Sequence, residues 1–104
     1  MKQQLGYFVL IGDMAASRQH SDRLALQERL LRALASINAA VQTEHPLRVT
    51  LGDEFQGVYS AFSSAVDAAL LVRLEMMGVV QVRGGIGWGA IPVRSDNTAP
   101  FGQD

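Results

Sequence analysis

The sequence predicts an α+β fold: an antiparallel sheet of four strands with two helices on one of its faces. Three observations lead there. A continuous apolar run near the N-terminus, "LGYFVLIG" at residues 5–12, has the length and the aromatic and β-branched content of a buried strand. Two longer stretches carry large apolar residues three and four apart, the period of a helix with one buried stripe. Between them Gly52-Asp53 divides two short β-rich segments as a hairpin turn would.

After the first strand, residues 13–20 form a loop. His20, Ser21 and Asp22 offer N-cap chemistry for a helix over 22–43, whose buried stripe is Leu26, Leu30, Leu34, Ile37 and Val41. Glu44-His45-Pro46 stops it, because proline lacks the N–H and crowds the turn before it. Residues 47–51 and 54–59 are the two arms of the hairpin. Ser60 caps a second helix reaching residue 77, with Phe62, Val66, Leu70, Leu74 and Met77 as the buried stripe and Gly78 as its C′ residue. Residues 79–93 form a glycine-rich fourth strand. The order β-α-β-β-α-β is the ferredoxin-like split βαβ pattern. Its usual strand order, 4-1-3-2, sets the end of strand 1 beside the start of strand 3, and so brings Asp13 to Asp53 and Glu54.

The 104 residues allow one domain and one modest core. With 48 % hydrophobic and 18 % charged residues, the composition is globular rather than disordered. A formal net charge of -1 and no basic block predict no strong electrostatic grip on nucleic acid or membrane. With no cysteine there are no disulfides and no thiolate metal sites. The N-terminal apolar run is too short for a membrane span or a signal peptide, so a cytoplasmic protein of bacterial type is expected. The polar end, "RSDNTAPFGQD", reads as a frayed tail or as the cut edge of a longer protein.

Carboxylates gathered at the end of a buried sheet repel one another and need protons or a cation. Oxygen-only ligands suit hard ions, so Asp13, Asp53 and Glu54 point to Mg²⁺ or Mn²⁺. Such ions serve phosphoryl transfer. The segment "DMAASR" leads into the first helix, where free backbone N–H groups and the Arg18 fork suit phosphates. The plain alternative is that Asp13 caps a loop, Asp53 solvates a turn and Glu54 faces water; spacing leaves both readings open.

In the fourth strand Gly85, Gly87 and Gly89 share one face, which a ligand or a helix backbone can approach closely. Ile86 and Trp88 share the other, with Trp88 expected in the core. Arg23, Arg32, Arg73 and Glu75 read as solvated helix faces, His20 and His45 as surface residues, and Asn38 as a polar residue near a helix end. Strand 1 is apolar on both faces, yet the helices cover one. The second face needs cover, which a homodimer partner or a further segment would supply.

The blocks "YFVLIGDMAASR", "DRLALQERL", "RVTLGDEFQG" and "VRGGIGWGAI" together resemble the SatD family of bacterial proteins, through most of the chain. Members are usually longer, and many continue into a region like a helix-turn-helix. Gly102-Gln103-Asp104 resembles the start of that continuation, so the chain looks like the N-terminal piece of such a protein. DNA would be reached only through that further region. More widely, the pattern resembles the palm core of class III nucleotidyl cyclases and GGDEF domains. That resemblance implies Asp13 and Asp53 as metal carboxylates, Glu54 as a third acid, and the Met14 carbonyl as a further ligand. A nucleoside triphosphate would lie against Met14, Ala15, Ala16, Ser17, Arg18, Gly52 and Gly85. Leu51 stands where a GGDEF signature has its first glycine, and the transition-state Asn and Arg of the class III enzymes have no counterpart in these residues. Two functions follow as expectations: a metal-dependent nucleotide-binding domain, or a non-catalytic dimerisation and regulatory module.

Overall fold

The computed structural model describes residues 4–16 and 21–92. Strand β1 (Gln4–Met14) is followed by helix α1 (Arg23–Ala40), then strands β2 (His45–Leu51) and β3 (Glu54–Tyr59), helix α2 (Phe62–Glu75) and strand β4 (Val82–Pro92). The strands form one antiparallel sheet in the order β2-β3-β1-β4, the expected ferredoxin-like arrangement. Ser17, Arg18, His20 and the C-terminal tail lie outside the described residues.

Alternation along β1 assigns the two faces. Leu10 and Met14 turn into the core with Phe55 and Tyr59 of β3, beneath the helices. Tyr7 and Val9 are half-buried on the other face, and Ile11 is exposed there. Gly12 sits where the sheet is tightest. A Cβ there would stand 2.4 Å from the Phe55 ring and 2.8 Å from the Arg83 carbonyl, so only glycine fits.

Helix α1 begins as its sequence dictates. The Asp22 carboxylate accepts from the Ala25 N–H at 3.0 Å, satisfying a donor that the first turn would leave free. Leu26, Leu30, Leu34 and Ile37 are buried as expected, and Val41 is half-buried at the end of the stripe. Each fully buried aliphatic side chain contributes about 1.5–3 kcal/mol by leaving water. The helix ends at Ala40 rather than 43 because the next residues have other partners. Val41 is extended. The Thr43 hydroxyl is placed to donate to the carbonyls of His45 (2.7 Å) and Val58 (2.8 Å). Such local bonding competes with the helix. Strand β2 therefore starts early, and His45, expected at the surface, is half-buried within it.

Helix α2 reverses its expected burial. Ala65, Ala68, Val72 and Met76 face the core, while Phe62, Leu70, Leu74 and Met77 are all more than half exposed. Both stripes have helical spacing. The small one wins because alanine lets the helix axis settle close over Leu10 and Phe55, where larger side chains would hold it away. No side chain caps α2; Ala61, not Ser60, is its N-cap residue. Phe62 instead packs its ring on Phe8, with centroids 5.4 Å apart. The C-cap is Met76, and Gly78 takes its left-handed conformation (φ 82°) two residues later.

In β4, Gly85, Gly87 and Gly89 lie opposite Ile11, Val9 and Tyr7 on the open face, and Ile86 and Trp88 lie on the helix face. Trp88 is not core: it is 65 % exposed. Its indole lies over Gly6, where a Cβ would come within 2.8 Å of the ring. Among the described residues, no helix is long and apolar enough to cross a membrane.

Candidate functional site

The sheet end carrying the acids is built by register. Asp13 is the cross-strand neighbour of Glu54 on one side and of Arg83 on the other, so the three residues form a row on the open face. Directly opposed carboxylates destabilise a strand pair unless a cation intervenes. Arg83 supplies it: its Nε donates to Asp13 Oδ1 at 3.1 Å and its Nη2 to Oδ2 at 3.4 Å. With side chains 64 % and 39 % exposed, this ion pair contributes about 0–1 kcal/mol. Glu54 has a separate partner, since Thr50 Oγ1 donates to its Oε1 at 3.0 Å.

The hairpin sits on the other side of this row. Leu51 pairs with Glu54, leaving Gly52-Asp53 as a two-residue turn. Gly52 has a φ of 61°, which explains glycine at this place. The turn is tied to α1, because the Gln27 side-chain amide donates to the Gly52 carbonyl at 2.9 Å. Asp53 is half-buried and lines a pocket of about 270 Å³ with Met14 and with Arg23, Leu24, Leu26 and Gln27 of the first turns of α1. Beyond Met14 the chain turns sharply. The Ala15 N–H donates to the Gln81 carbonyl at 2.7 Å, and Ala16 has a φ of 57°, a strained value for a residue with a Cβ.

The expected residues therefore fall in three places. Asp13 and Glu54 are neighbours on the open face. Met14 and Asp53 line one pocket against α1, with Gly52 in the turn above it and Ala15 and Ala16 in the turn after β1. Gly85 lies apart, in a groove between α2 and β4. Among the described residues, no group of three or more His, Cys, Asp or Glu side chains could hold a metal ion. Four contributors were not expected at the site from the sequence: Arg83, Thr50, Gln27 and Arg23. Arg83 was accessible to reasoning, because it alternates with Gly85 and Gly87 on a strand that pairs with β1. Gln27 and Arg23 looked like any solvated helix residues.

One buried polar group stands away from the acids. The Tyr59 hydroxyl has no hydrogen-bond partner among the described residues. Burial pushes its pKa up to about 12, and the nearby Thr43 hydroxyl only tempers the rise. The Thr43 proton is directed at the carbonyls of His45 and Val58, so it serves Tyr59 poorly.

This element order and sheet define a ferredoxin-like α+β fold, with an acid-bearing hairpin beside the end of its first strand. The chain belongs to the SatD family, whose family model matches residues 7–104. No curated protein matches it.

Proposed function

We propose that the chain is a palm-like nucleotide-binding unit that takes a nucleoside triphosphate together with Mg²⁺ or Mn²⁺. The observation that carries this reading is the pocket at the N-terminus of α1, where Asp53 and Met14 meet Arg23 one step from the Asp13–Glu54 row. The donors suit a hard cation in kind: Asp53 and the Met14 carbonyl offer oxygen at the pocket, and Asp13 would join them by turning away from Arg83. Asp13 already engages a cation, Arg83, so its carboxylate is arranged to hold positive charge. When bound, the metal would neutralise phosphate charge. The remaining work falls to the chain. Arg23 and the free N–H groups of the first turn of α1 would hold phosphate oxygens. Gln27 would fix the height of the Gly52-Asp53 turn through the Gly52 carbonyl. Glu54 would act on Asp13 across the strands.

Calorimetric titration of ATP, and separately GTP, in the presence of Mn²⁺ tests the reading. Saturable binding that weakens at least tenfold in Asp13→Ala and in Asp53→Ala supports it. An absence of binding, or binding that both variants retain, refutes it.

A second reading is a non-catalytic module that dimerises through the open face of the sheet. The observation favouring it is that β4 presents Gly85 and Gly87 beside exposed Ile11 and half-buried Val9, a face without bulky cover among the described residues. Light scattering on the eluting peak of a size-exclusion column decides it. A monomer at high concentration rules the module out.

A further inference from the structure

We propose that the groove between α2 and β4 is a binding site for an apolar monoanion, such as a medium-chain carboxylate. The groove encloses about 380 Å³, within the range of ordinary small-ligand sites. Its floor is core: Leu10 and Phe55 line it and are each 1 % exposed. One wall is Val66 and Leu70 of α2, and the other is Ile86 of β4. Gly84 also lines the groove and carries no side chain to narrow it; a Cβ there would stand 3.2 Å from the Ile11 carbonyl oxygen and 3.8 Å from Leu10 Cδ1. This is the stripe of α2 that has helical spacing yet stays out of the core, so its large side chains remain in water.

The chemistry of the occupant follows from Arg73. This residue stands at the rim of the groove and has no ion pair or hydrogen bond among the described residues. A cation in the last turn of a helix also favours the helix dipole, which accounts for a basic residue there. The dipole does not account for an apolar channel that reaches the core directly beneath it. One cation above apolar walls selects one anionic head on an apolar tail. A polyphosphate would find too little charge, and a neutral hydrocarbon would leave the guanidinium unused. A protein partner lying across the rim would not reach Leu10 and Phe55, whereas a narrow chain would. The groove shares no residue with the pocket that holds Asp53, so the inference stands apart from the nucleotide reading.

The test displaces 8-anilinonaphthalene-1-sulfonate, followed by its fluorescence, from the chain with decanoate and with decanol. Decanoate is expected to displace the dye at a one-to-one stoichiometry and well below its micellar range. Arg73→Gln is expected to weaken decanoate roughly tenfold, the low end for a charged hydrogen bond, and to leave decanol unchanged. Ala69→Phe, which fills the groove from α2, is expected to abolish both. Equal decanoate affinity in the parent and Arg73→Gln overturns the proposal. So does displacement only in the micellar range, or the absence of displacement. If Ala69→Phe fails to fold, amide chemical shifts of the parent decide: changes confined to α2 and β4 support the site, and changes elsewhere overturn it.

Discussion

Replacing Gly12 by alanine measures how tightly the sheet is built beside the acids. The added Cβ would lie 2.4 Å from Phe55 Cζ, 2.9 Å from Phe55 Cε1 and 2.8 Å from the Arg83 carbonyl oxygen. Carbon atoms in favourable contact stand about 3.5–4.0 Å apart, so the ring must move by roughly 1 Å. Phe55 is 1 % exposed under the helices, so moving its ring disturbs the packed core around it. The backbone cannot yield, since Arg83 belongs to the strand paired with Asp13. Overpacking of this kind costs about 1–3 kcal/mol, and two opposed clashes put Gly12→Ala near the upper figure. For a domain of this size that is a fall in Tm of about 12–24 °C. Urea denaturation followed by far-ultraviolet circular dichroism gives the free energy. Gly85→Ala is the control, because nothing lies within 4 Å of its Cβ position; it should stay within about 0.5 kcal/mol of the parent. A Gly12→Ala variant as stable as that control would refute the packing argument.

Other outcomes follow from single contacts. Asn38 donates to the Leu47 carbonyl at 2.9 Å and accepts from the Leu47 N–H at 2.8 Å, which ties α1 to β2. Asn38→Ala should therefore cost about 1–3 kcal/mol in urea denaturation, because it strands two backbone groups. Tyr59→Phe should be neutral or slightly stabilising, since the hydroxyl it removes is buried without a partner among the described residues. The phenol also sets a pH dependence. Its folded pKa, about 12, lies above the ordinary 10.0, so its contribution is constant below pH 10. Between pH 10 and 12 the unfolded chain loses the proton first and stability falls, by about 3 kcal/mol at most. Tyr59→Phe should abolish that fall in a series of denaturation curves. Arg83→Gln frees Asp13 from its guanidinium and should tighten Mn²⁺ binding, measured by calorimetry, by no more than about fivefold, because the exposed pair is weak.

The sequence yielded the fold and the pairing of Asp13 with Glu54 for the same reason. Once the order β-α-β-β-α-β is read, the sheet order leaves Asp13 one place to be, and its register partner is Glu54. The α1 stripe was legible because only one face of that helix is richly apolar. On α2 both faces are apolar, and side-chain size pointed to the wrong one. Burial there is decided by how close the helix approaches the sheet, which favours Ala65 and Ala68 over Leu70 and Leu74. Trp88 failed similarly: its alternation assigned the face, but not that the side chain would be 65 % exposed there. The division of the acids between the open face and the α1 pocket also escaped the sequence. It depends on Gly52-Asp53 folding toward Gln27, a contact made across 25 residues.

The measurement that bears most directly on the proposed nucleotide site is anomalous scattering from Mn²⁺ in crystals of the protein soaked with the ion and a nucleoside triphosphate. The reading predicts a peak bounded by Asp13, Asp53 and the Met14 carbonyl, with Arg83 displaced from Asp13 and phosphate oxygens against the first turn of α1. A soaked crystal in which Arg83 still holds Asp13, with no manganese beside Asp53, would contradict it.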